Sequence, residues 1–252
     1  MKKFRFVSAM ALAAALLAGC GRQDANVLTL GTDAERPPLA QRAGETLAGF
    51  EIDLAEAIAQ DAGKTLKTVA LSADKLLPAL AAGKVDLVLA GLETSGELPA
   101  PVVLSEPYYE ARRMAWILAG GPVPESQEEL RGGRVGAMAG TPGAVAAADL
   151  TTAENLRFVA VPMDLARDLM NSQIDTAILD EETAVFLAEH HPELMLIDPG
   201  YPAASYAAAV RKSDTNLLAA VNRTLAATAA DGRREKLVGK WLIYEADVAE
   251  AE

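Results

Sequence analysis

The chain of 252 residues holds one cysteine and two histidines, and each scarcity excludes a chemistry. A lone Cys20 closes no disulfide within the chain, so the core has to come from packing alone. A metal centre needs three or four converging ligands, whereas His190 and His191 are adjacent at an expected helix end, where neighbouring side chains diverge. No metal is expected. Positive charge is short as well: 23 Lys and Arg stand against 35 Asp and Glu, a net charge of −12. Nucleic-acid binders carry the opposite balance on a basic face, so that class is set aside. Ser72, Ser95, Ser105 and Ser205 lie in no G-x-S-x-G elbow, and "LVGKWL" (237–242) lacks the glycine spacing of a phosphate loop. No catalytic residue and no cofactor are expected. Beyond residue 20, no apolar run approaches the length of a membrane span.

The first twenty residues are built differently. "MKKFRF" is a basic head, "VSAMALAAALLAG" an apolar core too short to span, and Cys20 follows. That order reads as a secretory signal over 1–19. The segment "LLAGC" (16–20) resembles the bacterial lipobox, which implies lipid on Cys20 and cleavage before it. The mature chain would then have 233 residues and, having lost Lys2, Lys3 and Arg5, a charge of −15. Acyl chains contribute roughly 0.8 kcal/mol per buried methylene, so residues 20–26 become a polar tether from a membrane face. The localisation expected is periplasmic or extracytoplasmic, lipid-anchored to the cell membrane or outer membrane.

From residue 27 the pattern alternates. "VLTLGT" (27–32), "TLKTVAL" (65–71) and "VDLVLAGL" (85–92) read as strands, the last apolar on both faces as in a covered parallel sheet. Between them "GFEIDLAEAIAQDAG" (49–63) puts Phe50, Leu54, Ile58 and Ala62 on one helical face, and "ADKLLPALAAG" (73–83) is a short helix. The alternation restarts with strands at 113–120, 133–140, 156–161, 174–180 and 193–198. Within it, Ser126 and Glu129 suggest a capped helix over 126–130, while Thr141 and Pro142 form a clean helix start. A strand at 206–212 and two helices, 214–232 and 234–243, close the chain. Such alternation signals doubly wound α/β lobes. In such sheets ligands bind beyond the strand ends, which here carry Thr32 and Asp33, then Ala90, Gly91 and Glu93, then Gly140 and Thr141, then Asp180.

Seven segments, "LTLGTDAERPPL", "GFEIDLAEAIA", "LLPALAAGKVDLVLAGL", "SEPYY", "GRVGAMAGT", "IDTAILDEETA" and "ADGRREKLVGKWL", stand in one order from about 27 to 242. In that order the chain resembles the bacterial periplasmic solute-binding proteins of family 3, which serve polar amino-acid ABC importers. The resemblance implies a type II periplasmic binding protein fold: two doubly wound α/β lobes joined by a hinge. Lobe 1 would be discontinuous, 27–110 plus 208–252, around lobe 2 at 111–207. It implies a monomer that clamps a small polar ligand and delivers it to an ABC permease. Asp180 would hold the ligand's ammonium and Thr141 its carboxylate, with Asp33, Ala73, Ala90, Gly91 and Gly140 around it. A carboxylate at Thr141 also has its own physics, since amides and dipole at a helix start favour an anion.

The chain departs from that family where ligand is gripped. The family usually reads something like "AGMTITPER" where this chain reads "AGLETSGEL", so Leu98 stands at the clamping arginine and Glu93 at a threonine. Arg36 and Leu39 replace an aromatic pair. Glu93 and Asp180 would then face each other across the cleft with Asp33 near, and carboxylates so placed repel unless a cation joins them. That cation is either a basic or amine-bearing ligand or Arg36 acting as a relocated carboxylate clamp; a Glu93 that merely caps a loop is the third reading. Two other functions stay open: an accessory or sensory lipoprotein with a diverged cleft, and a cyclohexadienyl dehydratase-like enzyme using a cleft carboxylate.

Overall fold

A computed structural model describes residues 25–188 and 190–242. The signal segment and Cys20 lie outside the described residues. Two five-stranded sheets organise the molecule, with a small three-stranded sheet beside the first.

The first sheet grows from β1 (Val27–Thr32), which leads into β2 (Glu35–Arg36), β3 (Ala40–Ala43) and β4 (Thr46–Ala48). Helix α1 (Phe50–Asp61), β5 (Thr65–Ala70), α2 (Ala73–Ala81), β6 (Leu87–Glu93) and β7 (Val102–Ala111) follow. The chain then enters the second sheet through β8 (Arg113–Leu118), β9 (Val135–Met138), α3 (Pro142–Leu150) and β10 (Leu156–Val159). Next come α4 (Met163–Met170), β11 (Thr176–Asp180), α5 (Glu181–Ala188) and β12 (Leu194–Ile197). Finally β13 (Ala204–Arg211) rejoins the first sheet, and α6 (Thr215–Ala230) and α7 (Arg233–Trp241) pack back on α1.

Strand orders are β5-β1-β6-β13-β7 and β10-β9-β11-β8-β12. Each sheet is parallel apart from one strand, β13 in the first and β8 in the second. The reason is topological. β8 and β13 are the strands that arrive from the other sheet, so they start at the shared edge where every other strand ends. The carboxyl ends of both parallel sets therefore meet at one junction.

Helix α1 shows how the sequence builds this. Phe50, Leu54 and Ile58 are buried against β1 and β6 in a core with Leu28, Leu30, Leu87 and Leu89. Each such side chain contributes about 1.5–3 kcal/mol by leaving water. No side chain caps the helix; the carbonyls of Pro38 and Leu39 accept from the amides of Phe50 and Glu51 at 3.0 and 2.9 Å. The loop carrying β2 and β3 is thus fastened to α1. Gly49 makes this possible: its φ is +139°, and a Cβ there would lie 2.3 Å from the Leu39 oxygen. The second lobe has its own cores, one around Trp116, Leu165 and Leu179 and one around Val135, Ala147 and Ile178.

Two local expectations differ from the structure. Residues 127–130 form a 3-10 turn in which Ser126 makes no capping bond, and Glu129 Oε2 accepts the Glu125 amide. The stretch 101–112, unassigned in the sequence, contains the ten-residue β7.

Candidate functional site

The junction between the sheets is lined from both sides. A hollow of about 480 Å³ has Asp33, Glu35, Arg42, Ala73 and Asp74 on one wall and Gly140 and Ala160 on the other. The lobes touch there: a Cβ on Gly140, which has φ +76°, would lie 3.1 Å from Ala73 Cβ. A second, more open hollow of about 540 Å³ runs along Gly91, Glu93, Gly140, Thr141 and Phe158. The first has three carboxylates to one guanidinium, so its field favours cations.

Asp33 ends β1 with an Asx turn, accepting the Glu35 amide at 3.1 Å. That turn starts the short β2, whose Arg36 points inward and is only 3% exposed. Arg36 Nη1 donates to the Ala90 carbonyl at 2.5 Å, and Nη2 donates to Asp180 Oδ2 at 2.9 Å. Glu182 Oε1 lies 3.8 Å from Nη2, and the Tyr206 ring centre 6.0 Å from the guanidinium carbon. Gly91 forms the floor: at φ +57°, a Cβ there would sit 2.4 Å from Nη1. The positive φ favours glycine here, and a side chain at 91 would push the guanidinium end of Arg36 aside.

Behind this lies Glu51, buried on α1, which accepts from the Gly91 amide at 2.7 Å and from the Tyr108 hydroxyl. Three buried carboxylates, on Glu51, Asp180 and Glu182, thus surround one guanidinium. Burial pushes all three upward, with Arg36 opposing. Burial and the adjacent Asp180 charge push Glu182 up to about 8. Burial works against the charge of Arg36 too, but Tyr206, Asp180, Glu182 and Glu51 outweigh it and hold the group protonated.

Glu93 does not share this cluster. It forms an ion pair with Arg113, and Ser95 Oγ donates to its Oε2 at 3.1 Å. Arg113 is the register partner of Asp180 in the β8–β11 pair. The two acidic strand ends therefore each have an arginine: Arg36 for Asp180 and Arg113 for Glu93. The expectation of facing carboxylates joined by one cation thus takes another form, because Arg113 supplies a second cation that sequence reading overlooked. The Arg36 guanidinium, offered as a relocated carboxylate clamp, is bonded here to Asp180 and the Ala90 carbonyl. Thr141 caps α3, accepting the Ala144 amide at 3.3 Å while donating to the Met138 carbonyl. So Asp33, Ala73 and Gly140 line the first hollow, and Gly91, Glu93, Gly140 and Thr141 the second. Arg36, Ala90 and Asp180 form the buried contact.

Glu182, Glu51, Tyr206 and Arg113 belong to the site and were missed. "EE" at a helix start reads as two acids favoured by the helix dipole; only the position right after a buried strand end hinted that one faces inward. Among the described residues, no group of acids, histidines and cysteines is placed to hold a metal, and no helix is long and apolar enough to cross a membrane.

The family model described as bacterial extracellular solute-binding proteins, family 3, matches residues 28–244. The arginine-binding extracellular protein ArtP of Bacillus subtilis is 27% identical over 97% of this chain and 100% of its own length. The L-arginine-binding protein of Pseudomonas aeruginosa is 24% identical over 97% and 98%. Among solved structures, an ancestral arginine-binding protein bound to arginine superposes with a TM-score of 0.78, at 27% identity over 86% of this chain and 99% of that one. The ancestral amino acid-binding protein AncCDT-1, described as a precursor of cyclohexadienyl dehydratase, gives 0.78 at 26% identity over 86% and 96%.

Proposed function

Because the chain belongs to the bacterial extracellular solute-binding proteins of family 3, we propose that it is a lipoprotein anchored through Cys20 that clamps a small amine-bearing solute for an ABC permease. Among the described residues lobe 1 carries the first sheet, 27–111 and 204–242, and lobe 2 the second, 113–197; the return comes a few residues before the expected 208 because β13 already pairs with β7 at Ala204. Closure brings Asp180, Gly140 and Thr141 against Asp33, Ala73 and Gly91. The observation that carries the ligand class is the Asp180–Ala90 pair of acceptors, which holds a guanidinium with Glu182 and Glu51 close behind. A site that holds one cationic N–H donor between buried acceptors is suited to another. The acidic wall of Asp33, Glu35 and Asp74 extends the same preference. The relatives named for arginine are in keeping with it.

An accessory or sensory role is the second reading, favoured by the filling of the Asp180 site by the chain's own Arg36. The dehydratase reading draws no support from Glu93, whose carboxylate is paired with Arg113 instead of standing ready as a general acid.

The experiment is a thermal-shift and calorimetric screen of L-arginine, L-ornithine, L-lysine, L-histidine and putrescine against L-glutamate and citrate. A basic solute at 100 times its Kd should stabilise the protein by about 2.7 kcal/mol. At about 2–4 °C per kcal/mol for this chain length, the melting temperature should rise roughly 5–10 °C. Binding of the acids in preference to the bases would overturn the ligand class. Binding of none would favour the accessory role.

A further inference from the structure

Arg36 and Asp180 belong to different lobes, on β2 and β11, and their contact exists only while those lobes are together. We infer that Arg36 is a tethered occupant of the cation socket: its guanidinium sits where a solute's cationic group has to go, and solute enters by displacing it. This rests on the reading of the cleft as a solute site.

Four observations carry the assignment. The guanidinium bridges the lobes directly, to the Ala90 carbonyl on one side and Asp180 on the other. It is seated on the bare backbone of Gly91, a fit that any side chain at 91 would block. The pairing is incomplete on both sides: Asp180 Oδ1, Glu182 Oε2 and Arg36 Nε are buried without a hydrogen-bond partner among the described residues. A guanidinium and two acids left part-paired in this way fit an exchangeable contact better than a purely structural one. Lastly, Arg36 reaches the contact from a two-residue strand outside the main sheets, whereas Ala90, Gly91 and Asp180 lie within them.

The consequence is a built-in affinity limit. A solute competes with a group that is always present at high local concentration, and its apparent Kd is the intrinsic value divided by the fraction of time Arg36 is out. With Arg36 out about one time in ten, affinity is about tenfold weaker than the socket could give. Arg36 would thus set both the selectivity threshold and the ease of solute release.

The test is chemical rescue in the purified full-length protein. Arg36→Ala removes the occupant and leaves its acceptors. Ethylguanidinium, the end of the deleted side chain, should bind Arg36→Ala at least about tenfold tighter than wild type by calorimetry and raise its melting temperature selectively. Adding Asp180→Asn to that variant should abolish the capture. Should Arg36→Ala fold poorly, Arg36→Gln keeps bulk and one donor for Ala90, and it should bind L-arginine tighter than wild type does. Equal or weaker binding of ethylguanidinium and L-arginine by both variants would overturn the inference. The two readings fail separately. Capture of ethylguanidinium by Arg36→Ala with no basic solute bound by wild type keeps the socket and removes the proposed function. A wild-type ligand lost on removing Arg36 keeps the function and makes Arg36 part of the ligand grip.

Discussion

Glu182 carries the sharpest consequence at the scale of single residues. It is buried beside Asp180, with the Tyr206 hydroxyl 3.3 Å away, and its carboxyl is pushed up to about 8 from an ordinary 4.5. Between those two values the folded protein keeps a proton that the unfolded chain releases. The stabilising contribution is complete below about pH 4.5 and is lost as pH rises through about 8. Wild type should therefore melt lower at pH 9 than at pH 6. Glu182→Gln, which fixes the protonated shape, should flatten that decline by about 2–4 °C for each kcal/mol of linkage removed. A variant whose melting temperature falls with pH as steeply as wild type would refute the assignment. Nothing in "LDEETA" separates Glu182 from Glu181, because a helix start welcomes acids whether they face water or the interior. Asp180 was legible for a better reason: it ends an apolar strand. Arg113 was not, since an arginine next to another arginine before an apolar run looks like an ordinary charged strand entry.

Among the elements, the one that positions the site is the loop of β2 to β4, and its attachment is the N-terminus of α1. Strands of two to four residues leave no periodic signal, so this small sheet was invisible in the sequence. β7 was hidden for a different reason: its pairing with β13 shifts register, and Pro107 interrupts any clean alternation. The long helices and the apolar strands β1, β6 and β11 were readable because burial on one or both faces dictates composition directly. Gly49 is where the loop meets the helix, and an alanine there brings a Cβ to within 2.3 Å of the Leu39 oxygen at a φ that side chains rarely adopt. We expect Gly49→Ala to cost about 2–3 kcal/mol, or roughly 5–10 °C in melting temperature. It should also weaken solute binding, because Arg36 and Asp33 ride on the displaced loop. The check is calorimetry beside a melting curve: a variant that loses stability while binding solute as wild type does would show that the loop does not transmit the change.

For the whole molecule the question is what resists separation of the lobes besides Arg36. The chain passes between sheets at 111–113 and again at 198–204, and local periodicity cannot reveal that double passage, nor that β8 and β13 run against their neighbours. The structure ties the two passages together at Arg112. Its carbonyl accepts the Glu181 amide at 2.8 Å, its Nε donates to Glu181 at 3.1 Å, and its Nη1 reaches Asp198 at 3.4 Å on the returning passage. The arginine side chain is 56% exposed, so this clip lies in water-like surroundings and contributes about 0.2–1 kcal/mol per pair. That is small beside two hydrophobic cores, yet comparable with the bias between open and closed populations of a hinge. Arg112→Ala should therefore move the melting temperature by less than about 4 °C while shifting the distribution of lobe separations. Energy transfer between dyes on cysteines placed at the exposed Glu56 and Glu154, in a Cys20→Ser background, would read that distribution. Raising salt should move wild type toward the variant, since exposed pairs are screened within about 8–10 Å near physiological ionic strength and within less above it. A large loss of stability with an unchanged distribution would instead make Arg112 a structural brace. Such a result would leave the buried Arg36–Asp180 contact and the Glu93–Arg113 pair as charged ties between the lobes, and Arg36→Ala should then shift the distribution toward the open form.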